Sequence, residues 1–156
     1  MMYQTDNFDL YDGVGGRISV EIKDGCLEIF DHVFSGTMEI ERWYNFDEKN
    51  TEHLMRLLIK NENHIRYLAE NKRFIGFFRS SKYDKLREYF RENAYDEIFI
   101  EQVIDRIKEN CFELLTEEDV DVKKIFLDNY SGIEGFERLK KLWKENDIEY
   151  KYNSWS

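Results

Sequence analysis

Carboxylates are the most abundant chemistry-bearing side chains in this chain, and their spacing points to recognition of a cationic surface. Glu97, Glu101, Asp105 and Glu109 fall four residues apart. On a helix they share one face, and each like-charged pair at that spacing costs about 0.2–0.5 kcal/mol unless a cation relieves it. Glu113, Glu117, Glu118, Asp119 and Asp121 extend this acidic zone, in part as first-turn residues favoured by a helix dipole. A second constellation lies near the N-terminus. Asp24-Gly25 is a two-residue hairpin signal, because both central positions of the turn need positive φ. The register it imposes sets Glu21 directly opposite Glu28, an unfavourable cross-strand pair that a basic partner would relieve. Glu39 and Glu41 share one face of a further strand.

Other constellations are sparser. Asp6, Asp9 and Asp12 are three apart but lack the alternating oxygen donors of a calcium loop. His32, His53 and His64 are too widely spaced to serve as ligands from one element, and HExxH, GxSxG and CxxC are absent. Gly13, Gly15 and Gly16 lead into a strand instead of a helix, so they lack the helix N-terminus that holds a phosphate. They read as a flexible entry to the sheet. Neither a metal nor a cofactor is expected. Glu21-Ile22-Lys23, with Asp9 or Asp12 upstream, resembles the Asp…Glu-x-Lys pattern of metal-dependent nucleases. In that pattern the aspartate starts a preceding strand, which the sequence does not announce, and Glu149-Tyr150-Lys151 repeats the same spacing.

The elements that must position these groups follow from periodicity. Residues 1–15 read as polar and irregular. Ile18, Val20 and Ile22 alternate with polar residues up to Asp24-Gly25, and Cys26 to Phe30 forms the return strand. A third strand is expected from Thr37 to Phe46, with Met38, Ile40, Tyr44 and Phe46 in phase. Helical spacing then takes over. Leu54, Leu57 and Leu58 mark a first helix, and Ile65 and Leu68 a second or its continuation. Ser81-Lys82-Tyr83-Asp84, Thr116-Glu117-Glu118-Asp119 and Ser131-Gly132-Ile133-Glu134 read as capping boxes opening further helices, and another helix spans about Asp96 to Asn110. Ile148, Tyr150 and Tyr152 alternate in a last strand that returns to the sheet. The expected class is α+β: three N-terminal antiparallel strands, about five helices and a closing strand in a single domain spanning residues 1–156.

Charge is distributed in blocks. Residues 1–52 hold four Lys/Arg against twelve Asp/Glu, residues 53–92 ten against five, and residues 93–135 four against twelve. The net charge is −10, which repels nucleic acid and steers basic proteins toward the surface. The basic middle is the countervailing feature. Its Lys72, Arg73, Arg79, Lys82, Lys85, Arg87 and Arg91 interleave with aromatics, a composition able to hold single-stranded nucleic acid. Aromatics form 16% of the 156 residues, enough for a substantial core. The N-terminus lacks a signal-peptide pattern, and no apolar run reaches the roughly 18 residues of a membrane span. With Cys26 and Cys111 far apart, reduced thiols and a cytoplasmic location are expected.

Gly16–Phe46, closing on Glu39-Ile40-Glu41-Arg42-Trp43-Tyr44-Asn45-Phe46, together with Asp147-Ile148-Glu149-Tyr150-Lys151-Tyr152, resembles small acidic bacterial and phage inhibitor proteins of the toxin-immunity or anti-CRISPR kind. The resemblance implies a non-enzymatic protein that occludes a basic, nucleic-acid-handling target such as a Cas nuclease or a nuclease toxin. The expected docking residues are Glu97, Glu101, Asp105, Glu109, Glu21 and Glu28. The rival readings are nucleic-acid binding through residues 72–91 and a metal-dependent nuclease around Glu21 and Lys23.

Overall fold

In the computed structural model, the Asp24-Gly25 turn forms as its sequence requires, with φ of 54° and 77°. The structure describes residues 2–70, 84, 87, 88, 90, 91, 96–109 and 120–156. Five antiparallel strands follow in the order β1 (Thr5–Gly13), β2 (Gly16–Lys23), β3 (Cys26–Ser35), β4 (Met38–Asn45) and β5 (Lys151–Trp155). The described helices are α1 (Glu48–Glu70), α2 (Glu97–Glu109), α3 (Val122–Tyr130) and α4 (Gly132–Glu145). The class is α+β. The chain forms two compact units, one of residues 1–58 with 120–156 and one of residues 59–119.

The first unit is built on the sheet. The turn fixes Ile22 opposite Leu27, Val20 opposite Ile29 and Glu21 opposite Glu28, as the alternation predicts. Val20 and Ile29 are fully buried, so one face of the sheet is core. Rings pack onto that face: Phe8 lies 6.0 Å from Phe126 of α3, and Tyr44 and Phe46 lie 5.4 and 5.1 Å from Trp143 of α4. Thr51, wholly buried in α1, accepts a hydrogen bond from the Leu27 amide at 2.9 Å and donates to the Phe46 carbonyl. One hydroxyl thereby joins the helix to two points on the sheet.

The expectation of three N-terminal strands and a closing one is corrected to four and a closing one, all in one sheet. Residues 5–13 are a strand, not an irregular lead, because Phe8 and Leu10 turn inward while the aspartates face out. Register shifts between Thr5 and Phe8 and between Asp9 and Tyr11 break its alternation, which hides the strand from a period-two search. Gly13 to Gly16 is consequently the β1–β2 hairpin turn, not a loose entry. The closing strand pairs with β4, Tyr152 opposite Tyr44, but its paired residues begin at Lys151.

The helices also differ in number and in caps. About five were expected, and four are bounded among the described residues: Glu48–Glu70 is one continuous helix with no glycine or proline to divide it, and the helix expected behind Ser81 lies mainly outside the described residues. The caps are aspartates. Asp47 accepts from the Asn50 amide, Asp96 from that of Phe99 and Asp121 from that of Lys124, each an orphan donor of a first turn. Ser131 does not form its capping box. Its hydroxyl donates back to the Leu127 carbonyl, which ties it to the end of α3 instead. The boxes at Ser81 and Thr116 lie outside the described residues, apart from Asp84. Among the described residues no helix is long and apolar enough to cross a membrane.

Gly135 permits the tight corner between α3 and α4, where a Cβ would fall inside the van der Waals shell of the Tyr130 backbone carbonyl. Gly135→Ala is expected to destabilise the protein by about 2–3 kcal/mol and to lower Tm by about 5–10 °C, checked by urea and thermal unfolding. An unchanged midpoint would show that the corner relaxes without cost.

Candidate functional site

Antiparallel register sorts the outward side chains of the sheet into rows about 7 Å apart along the strands. Glu21, Glu28, Asn45 and Lys151 form one row. Ser19, Phe30, Trp43 and Asn153 form the next, and Arg17, His32, Glu41 and Trp155 the one beyond. Phe34 and Glu39 close the face. The rings pack along it at tilted angles: Phe30 and Trp43 are 5.3 Å apart, Phe30 and His32 5.5 Å, and His32 and Phe34 4.0 Å. Phe34 and Trp155 are exposed at 49% and 57%. The result is an aromatic platform with a carboxylate pair at each end.

Glu21 and Glu28 sit at the end nearer the Asp24-Gly25 turn. Both line a shallow cleft of about 220 Å³ with Lys23 and Asn45, and Glu21 also borders a second cleft of about 420 Å³ with Asp6 and Lys23. β1 precedes the Glu21 strand, but neither Asp9 nor Asp12 starts β1, and Asp9 is held by Arg17. Among the described residues the one set of three or more His, Cys, Asp or Glu donors close enough to share a metal ion is His32, Glu39 and Glu41. Glu21 is not part of it.

Histidine spacing alone does not reveal that triad, because its other two members are glutamates of the paired strand. His32 faces Glu41 directly across β3 and β4, and Glu39 lies one step diagonally away. Nε2 of His32 is 2.5 Å from Glu39 and 3.8 Å from Glu41. The signal was the two-residue Gly36-Thr37 turn, which pairs Ser35 with Met38 and fixes that register. Arg17, in the same row as His32, is held by Asp9 at 2.8 Å, an interaction that raises its already high pKa further.

The acidic helix has a different character. Asp96 caps α2, and Phe99, Ile100 and Ile104 are buried on its other side, as its spacing predicts. Glu97, Glu101 and Asp105 are exposed, whereas the Glu109 side chain lies outside the described set. The stripe is not bare. Arg91 makes a paired hydrogen bond to Glu97 at 2.6 and 3.1 Å, and Arg87 does the same to Glu101 at 2.8 and 3.3 Å. Arg87 also reaches Asp84. Two cations of the basic block are therefore spent on the acidic stripe, which lowers the field of both. The rest of residues 72–91 that would bind nucleic acid lies mainly outside the described residues.

Within the core side of the sheet, Arg42 reaches the buried Asp31 at 3.4 Å. Burial, reinforced by the nearby Asp31 charge, pushes the Tyr44 phenol up to about 12. Tyr44 therefore stays neutral and serves the aromatic core.

The Arg91 fork holds the Glu97 carboxyl below its ordinary value of 4.5. A depressed carboxylate contributes stability above that ordinary value and loses it as pH falls through the depressed one. The effect is screened, because the pair is exposed. A carboxyl-carbon NMR titration should show Glu97 titrating below 4.5 at low salt and returning toward 4.5 in Arg91→Gln. A Glu97 titration identical in both proteins would mean that the fork does not persist in solution.

No protein-family model, no curated protein and no solved structure matches this chain.

Proposed function

We propose that the protein is a non-enzymatic inhibitor that docks a basic, nucleic-acid-handling protein, such as a Cas nuclease or a nuclease toxin, against the outward face of its sheet. The observation that carries this reading is the Glu21–Glu28 pair. Opposed carboxylates on paired strands cost stability in the free protein, and a cation placed between them removes that cost on binding. Phe30 and Trp43 beside them are half-buried and offer ring surface against which an arginine side chain can pack. A partner surface built for phosphates would meet acids at both ends of the platform and apolar area in the middle. The acids then set association rate and salt dependence, and the rings slow dissociation.

The assignment of residues shifts accordingly. Glu21 and Glu28 lead, with Glu39 and Glu41 at the far end of the face. Glu97 and Glu101 are weaker candidates, because Arg91 and Arg87 already engage them. Binding there would have to displace bidentate ion pairs.

Cas nucleases and nuclease toxins, purified and assayed for cleavage, provide the test. Inhibition is expected to fall at least about tenfold in Glu21→Lys/Glu28→Lys, with the loss concentrated in the association rate and reduced at high salt. A charge-matched reversal on α4, Glu134→Lys/Glu145→Lys, should leave inhibition nearly intact. Equal loss in both double variants would reduce the effect to net charge. A gel shift of bare DNA or RNA at low salt should show no binding, and a shift that depends on residues 72–91 would favour the nucleic-acid reading instead.

A further inference from the structure

We infer that His32, Glu39 and Glu41 form a divalent-cation site of the zinc class on the outward face of the sheet. The site shares Glu39 and Glu41 with the proposed docking face, but it rests on their geometry with His32 and would stand if no protein bound that face. Its donors are one imidazole nitrogen and two carboxylates, all within 4.8 Å of one another. A metal bound at about 2.0–2.2 Å to each donor needs donor separations of about 3.0–3.6 Å. The present distances of 2.5 and 3.8 Å from Nε2 lie on either side of that range and all three donors lie within 4.8 Å, so rotation of the two carboxylates would seat an ion.

The unliganded arrangement has a surplus of negative charge. Nε2 carries at most one proton, so it can donate to one carboxylate and not two. Glu39 takes that contact, and Glu41, directly opposite the ring, is left 3.8 Å away. Arg17, the cation in the same row, is held by Asp9. A divalent ion replaces the single proton and satisfies all three donors at once.

Support around the site is ordered by the fold. Glu39 and Glu41 are two apart on one strand, so they project the same way, and the β3–β4 ladder fixes their offset from His32. The imidazole is packed against Phe34 on one side and Phe30 on the other, leaving its side chain only 17% exposed. A ring held in that way loses little freedom on binding metal, while the more exposed Glu39 keeps the mobility to adjust. Nitrogen with two carboxylate oxygens suits zinc, manganese or iron(II) better than calcium, which prefers six or more oxygens. Water would fill the remaining positions.

Isothermal titration of the full chain with zinc chloride at neutral pH tests the site. One ion per chain is expected at micromolar affinity, and a saturating excess should raise Tm by about 5 °C or more. Cobalt(II) in place of zinc should give visible absorption bands of a low-coordinate site. His32→Gln and Glu41→Gln should each weaken binding at least tenfold, with metal-free circular dichroism and Tm confirming that they fold. Glu39→Gln, at the most exposed position, serves if either fails that check. Absence of saturable binding at stoichiometric zinc, or equal affinity in the native chain and the folded variants, would overturn the inference.

Discussion

Everything the sheet displays depends on the register set by Asp24-Gly25. Two consecutive residues with positive φ close the β2–β3 hairpin in one alignment, with Ile22 against Leu27 and Glu21 against Glu28. Because side chains alternate, a slip of one residue would turn one strand over, putting Val20 or Ile29 into water and burying Glu21 or Glu28. The burial of the first pair forbids that slip. The same constraint therefore secures the core and forces two carboxylates to face one another on the opposite side. The electrostatic strain is a consequence of a register that the apolar residues cannot give up.

How far the sequence disclosed this depends on the distance over which each signal acts. The β2–β3 hairpin was legible because its turn and its alternation are local and agree. β1 was not, because two irregularities interrupt its pattern and its aspartates disfavour a strand. Helix starts were sought as Ser/Thr capping boxes, whereas Asp47, Asp96 and Asp121 do the capping with a single acceptor each. Ser131 shows why a box pattern can mislead: a hydroxyl there has a nearer acceptor in the helix that has just ended.

The site residues follow the same logic. Glu21 and Glu28 were legible because one turn connects them. The grouping of His32 with Glu39 and Glu41 required a second turn, at Gly36-Thr37, to be carried through the register to β4. The neutralisation of Glu97 and Glu101 was hidden for another reason. Their partners lie six and fourteen residues away in sequence, beyond any helical spacing, so periodicity shows the acids and omits the arginines that meet them.

Charge blocks counted along the chain therefore overstate the acidity of the α2 region. The compact unit of residues 59–119 contains eleven Lys/Arg against fourteen Asp/Glu, a net of −3. The unit that holds the sheet contains twelve against nineteen, a net of −7. The basic block belongs to the same unit as the acidic helix, and two of its arginines are seen to bind that helix. Electrostatic steering depends on uncompensated charge, not on the number of carboxylates. On that criterion the sheet unit carries most of the field. Its outward face adds what a helix stripe alone would lack, an exposed aromatic surface that gives a steered encounter something to hold.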